Sequence, residues 1–117
     1  MNTEILTTNG VDIQKGLELL GDMEMYNDTL RDFLDESATR LPKIQEYAAN
    51  GDMPNYAILV HAMKSDSKYL GFDKLAEMSY QHELESKAGN NTFVNKNLAA
   101  LLEEATRIQN VVKTYLG

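Results

Sequence analysis

The stretch Met53-Pro54-Asn55-Tyr56-Ala57-Ile58-Leu59-Val60-His61-Ala62-Met63-Lys64-Ser65-Asp66-Ser67-Lys68-Tyr69-Leu70 decides the fold. Met53, Tyr56, Val60, Met63, Ser67 and Leu70 recur at three- and four-residue steps, the period of one face of an α-helix. Asp52 stands before the stretch as a candidate cap. Pro54 falls in the first turn, where its missing N–H is harmless, and Gly71 supplies the stop.

The same period continues on both sides. Upstream, Met23, Tyr26, Leu30, Phe33, Ser37, Leu41, Ile44 and Ala48 predict a helix from about Asp22 to Ala49, broken off at Asn50-Gly51. Pro42 lies inside it and is expected to kink or split it. Downstream, a helix from Asp73 to about Ala88 stops at Gly89-Asn90-Asn91. A last helix begins near Thr92 and carries Val94, Leu98, Leu101, Ala105, Ile108, Val112 and Tyr115. A shorter helix from Asp12 to Leu20 precedes these, with Val11, Ile13, Leu17 and Leu20 on its apolar side. No alternating stretch is long enough for a strand. Long amphipathic helices with short connections predict an all-α, up-down-up-down antiparallel four-helix bundle with a short additional N-terminal helix. Residues 1–10 are expected as a flexible N-terminus and residues 11–117 as the bundle domain.

Composition narrows the function. A chain of 117 residues fits one core. It has no cysteine, which removes disulfides and thiolate chemistry and suits a reducing compartment. No apolar run reaches membrane-spanning length, and the N-terminus lacks the basic and apolar regions of a secretory signal, so a cytoplasmic protein is expected. With 18 acidic against 11 basic residues the net charge is −7, which disfavours nucleic acid.

Of the two histidines, His61 is the informative one. At 100° per residue it lies roughly 130° from the mean direction of the six seam residues, so it faces solvent from mid-helix. Ala57, Lys64, Ser65 and Lys68 lie at −4, +3, +4 and +7 from it, on or near the same face, and Ile58 adds an apolar contact. A neutral imidazole is a competent nucleophile. A phosphoryl group of about −1.5 to −2 charge would be offset by a nearby ammonium. Geometry alone does not separate such a nucleophile from an ordinary surface histidine. His82 reads as a histidine at a bundle edge, bonded to a neighbour. Carboxylate-bridged metal bundles use Glu-x-x-His pairs, but Ile58 and Ser79 stand three residues before the two histidines, which argues against a metal.

The string from His61 through Ala62, Met63, Lys64 and Ser65 to Gly71-Phe72 resembles the signature of histidine-containing phosphotransfer (HPt) domains. That signature is His, any residue, Leu, Lys, usually Gly, with a further Gly closing the helix. The likeness extends upstream over Val11-Asp12-Ile13, Leu17, Leu20-Gly21-Asp22, Leu30 and Phe33, and downstream over Leu75-Ala76 and Glu83. Met63 stands for the usual Leu, a change that a core position tolerates, and Ser65 for the usual Gly.

The resemblance implies that His61 accepts a phosphoryl group from a receiver-domain aspartate and passes it to another. Lys64 would neutralise that group. Ala57, Ile58, Ser65 and Lys68 would surround His61 on the docking face. The partners implied are response-regulator receiver domains or a hybrid histidine kinase, with no nucleic acid, no membrane and a monomeric state. The domain would be no enzyme with an ATP site and would need no cofactor, Mg being the receiver's. Two alternatives stay open: a docking module that is never phosphorylated, and the phosphate-accepting domain of a chemotaxis-type kinase.

Overall fold

The computed structural model describes all 117 residues and contains six helices and no strand. They are α1 (Glu4–Thr8), α2 (Ile13–Leu20), α3 (Met23–Ala49), α4 (Met53–Leu70), α5 (Asp73–Lys87) and α6 (Asn91–Leu116). The helix starts follow the capping chemistry of the sequence. Asp12, Asp22, Asp52 and Asn90 each accept a hydrogen bond from the backbone N–H three residues on, and Pro54 sits in the first turn of α4.

The four long helices close a bundle, with α3 against α4, α4 against α5, α5 against α6, and α6 back against α3. Connections of two or three residues force consecutive helices to run antiparallel. The seam residues read from the sequence form one core. Tyr26, Leu30, Ile44, Tyr56, Val60, Leu70, Leu75, Val94, Leu101 and Val112 are all fully buried. Arg40 ties α3 to α4 through Asp66 at 2.9 Å, and the Tyr115 hydroxyl ties α6 to α3 by donating to Asn27 Oδ1 at 2.8 Å.

Two features differ from the expectation. α3 runs through Pro42 without splitting. Only one helical N–H is lost there, and Phe33, Ser37, Ile44 and Ala48 are buried on both sides of it, so packing along one face holds the helix together. Residues 1–10, expected as a flexible end, contain α1. Leu6 enters the core with no exposed surface, and Arg107 of α6 donates to the Asn9 carbonyl at 3.1 Å.

The C-terminal end of α4, which sets the height of the helix carrying His61, is fastened at a glycine corner. Gly71 takes a left-handed φ of 83°, and its carbonyl accepts from Asp12 N–H at 2.9 Å. A Cβ at Gly71 would collide with the Asp12 backbone. The Leu70 carbonyl is satisfied by the buried Tyr26 hydroxyl at 2.6 Å, and α2 approaches Tyr26 at Gly16, where a side chain would strike the ring. Gly71→Ala therefore meets both a backbone penalty and a collision, and is expected to cost about 2 kcal/mol or more in denaturant unfolding. An unfolding midpoint equal to that of the wild type would show that the corner carries no strain-sensitive contact.

Candidate functional site

His61 projects from the middle of α4 with a side chain 54% exposed, as its helical phase requires. Its surroundings are set by α5. The buried stripe of α5 is Leu75, Ala76, Ser79, His82, Glu83 and Ser86, at three- and four-residue spacing. Glu83 is the one acidic residue in that stripe, and it is 3% exposed.

Three nitrogens converge on the Glu83 carboxylate. Lys64 Nζ donates to Oε1 at 2.5 Å, Lys87 Nζ donates to Oε2 at 2.8 Å, and His61 Nδ1 lies 2.5 Å from the same Oε2. Burial on its own would push this carboxyl up. The hydrogen bonds from Lys64, Lys87 and His61, with the His61 charge, outweigh it and hold the group at about 2 against an ordinary 4.5. Glu83 is thus ionised at neutral pH and can only accept hydrogen bonds.

An acceptor-only carboxylate at this distance selects the tautomer of a neutral His61. Nδ1 must be the donor toward Glu83, so in the neutral ring Nε2 carries the lone pair. Nδ1 is occupied by the buried carboxylate, which leaves Nε2 as the nitrogen available to a reactant. A carboxylate that orients an imidazole in this way fixes both its tautomer and its plane.

The other residues singled out from the sequence fall as follows. Lys64 is not free beside the imidazole. It is bound to Glu83, only 14% exposed, with Nζ 5.2 Å from the centre of the Tyr80 ring. Ile58 is exposed at 64%. Lys68 is exposed and Ser65 half-buried. Ala57, expected on the docking face, is instead buried at 5%. His61 and Lys64 both reach α5, so this flank of α4 faces that helix, and Ala57 lies on it one turn before His61.

His82 is interior rather than at a bundle edge, at 2% exposure. It does bond a neighbour, its Nδ1 lying 2.7 Å from the Tyr56 hydroxyl, and it packs edge-on against Phe93. Burial lowers its pKa, opposed by a bond to the Asn97 backbone. No group of three or more His, Asp or Glu side chains gathers into a metal cluster. The largest cleft, about 460 Å³ between α2, α4 and α5, is lined by Lys15, Lys68, Asp73, Ala76, Glu77 and Tyr80 and does not include His61. The exposed imidazole therefore stands on an open helical face, a geometry for a protein partner rather than for an enclosed small ligand.

Glu83 and Lys87 are the members of the site that sequence reasoning missed. Glu83 entered only as a matching position, although an acid on the apolar stripe of its helix was the available signal. Lys87 carried no signal beyond its place one turn after Glu83.

The family model described as Hpt domain matches residues 28–111. The chain belongs to the Hpt domain family, whose members are phosphocarriers of two-component relays that work with receiver and kinase partners. No curated protein and no solved structure matches it significantly.

The depressed Glu83 carboxyl makes a prediction for stability. Its contribution is fully present above the ordinary carboxylate value of 4.5 and is lost as pH falls toward about 2. The shift corresponds to roughly 3 kcal/mol. The stability difference between the wild type and Glu83→Gln should therefore shrink as pH falls from 5 to 3 in urea unfolding. A difference that ignores pH over that range would mean that Glu83 is not held ionised by its partners.

Proposed function

We propose that the chain is a phosphorelay intermediate in which His61 Nε2 accepts a phosphoryl group from a receiver-domain aspartate and passes it to another receiver aspartate. The observation that carries this reading is the exposed imidazole whose Nδ1–H is donated to a buried, ionised carboxylate, leaving an oriented lone pair toward solvent. In the forward step the Nε2 lone pair attacks phosphorus as the P–O bond to the aspartate breaks, and the aspartate leaves with that electron pair. No proton is released at the nucleophile. Nδ1–H stays donated to Glu83, whose negative charge faces the positive charge that the ring acquires. Return to a second aspartate reverses the step, with the ring leaving as the same neutral tautomer.

Ile58 beside His61 offers an apolar contact and Lys68 a positive one to a docking receiver. Lys64 stands one helical turn from the imidazole and reaches the phosphoryl oxygens by a change of rotamer. The scaffold provides no Gly-rich phosphate loop, so the phosphoryl group comes ready-made from a partner.

The test is incubation with phosphorylated receiver domains and Mg, read by intact mass at neutral and acidic pH. An acid-labile phosphoryl adduct should form on the wild type and be absent from His61→Gln, whose unfolding free energy should move by no more than about 1 kcal/mol. Lys64→Ala should still label but transfer more slowly. Receiver binding without any adduct would replace the phosphocarrier with a docking module.

A further inference from the structure

We propose that Lys87 is the resident counter-ion of Glu83, keeping that buried carboxylate charged and its bond to His61 intact when Lys64 turns to the phosphoryl group. The inference rests on the phosphocarrier reading above and assigns a positioning role to a residue outside the matched signature.

The carboxylate is over-neutralised in the resting protein. One buried negative charge is met by two ammonium groups and an imidazole N–H. Two cations thus share one buried carboxylate, one on each of its oxygens. The two lysines are placed differently. Lys64 sits on α4, one turn from His61, and takes Oε1. Lys87 sits on α5, one turn after Glu83 itself, and takes Oε2, the oxygen that also accepts from His61 Nδ1. An i,i+4 pair on one helix keeps its geometry whatever happens on the neighbouring helix.

When a phosphoryl group of about −1.5 to −2 charge arrives at Nε2, the ammonium nearest it on α4 is drawn outward. Without Lys87 the Glu83 carboxylate would then be buried among groups already committed elsewhere, and it would gain a proton more readily. A protonated Glu83 no longer holds the ring by an acceptor-only oxygen. The charged groups facing this carboxylate are His61 and Lys64 from α4 and Lys87 from its own helix, while the acidic and basic groups of α6 make no ion pair with it. Lys87 is 61% exposed, so its replacement disturbs no core packing.

The experiment uses the full chain phosphorylated chemically with phosphoramidate, and follows the phosphohistidine lifetime by intact mass from pH 5 to 9. Lys87→Ala should shorten the lifetime several-fold, with the onset of acid lability moved to higher pH, and Lys87→Arg should restore both. In a Glu83→Gln background, Lys87→Ala should change neither the lifetime nor its pH profile, because its effect runs through Glu83. An equal shortening in that background would make Lys87 a direct phosphoryl ligand and overturn the assignment. So would a lifetime independent of Lys87 in the wild-type background. Failure of phosphoramidate to label His61 would overturn the phosphocarrier reading, and this inference with it. Labelling with no dependence on Lys87 would overturn the inference alone.

Discussion

The arrangement of the site depends on one buried negative charge. Taking a carboxylate out of water costs several kcal/mol unless hydrogen bonds and opposite charges replace its hydration. Glu83 recovers that cost from three N–H donors on two helices. Each donor is fixed in return: the His61 ring in plane and tautomer, the Lys64 ammonium over the Tyr80 ring, and Lys87 along its own helix. Removing the carboxylate would leave two ammonium groups without a partner and an imidazole free to rotate, so the orientation of His61 is a property of the pair of helices.

For Glu83 to reach His61, α4 and α5 must pack closely, and the sequence permits this through small side chains. Ser67 on α4 and Ala76, Ser79 and Ser86 on α5 are all buried. The Ser67 and Ser79 hydroxyls make no hydrogen bond, so at these positions small volume is what the packing uses. A two-residue connection, Gly71-Phe72, keeps the pair in register, with Phe72 buried against Phe33 and Gly71 pressed on the Asp12 backbone. The corner at one end of α4 and the carboxylate farther along it thus act on the same variable, the position of α4 relative to α5.

The bundle was legible because its information is local. Caps, glycine stops and three-four spacing act within a few residues, and they placed α2 to α6 closely. What escaped was non-local. α1 is too short to stand by its own pattern and exists because Leu6 finds the core and Arg107 finds the Asn9 carbonyl from 98 residues away. Helical phase put His61 outside correctly, since that needs only its own helix. Ala57 lies on a flank whose exposure depends on which neighbour covers it, and the single-helix projection could not supply that. Glu83 was invisible as a structural acid for the same reason, because a charged residue becomes tolerable in a core only when its partners from another helix are known.

The surface around His61 also resolves a tension in the composition. A protein of net charge −7 repels the acidic surfaces and phosphoryl groups with which a phosphocarrier must meet. Repulsion between exposed charges is screened beyond about 8 Å at physiological ionic strength, so the charges that decide an encounter are those close to the contact. There the balance is reversed. Lys64 and Lys87 outnumber the one carboxylate they share, while Lys68, farther along α4, lines a cleft with Asp73 and Glu77. Burying Glu83 beneath the imidazole further limits the negative charge presented at the surface, because its oxygens are covered by the N–H groups that bind them. The same carboxylate that orients the imidazole therefore gathers two cations beside it, and one interaction sets both the ring and the charge around it.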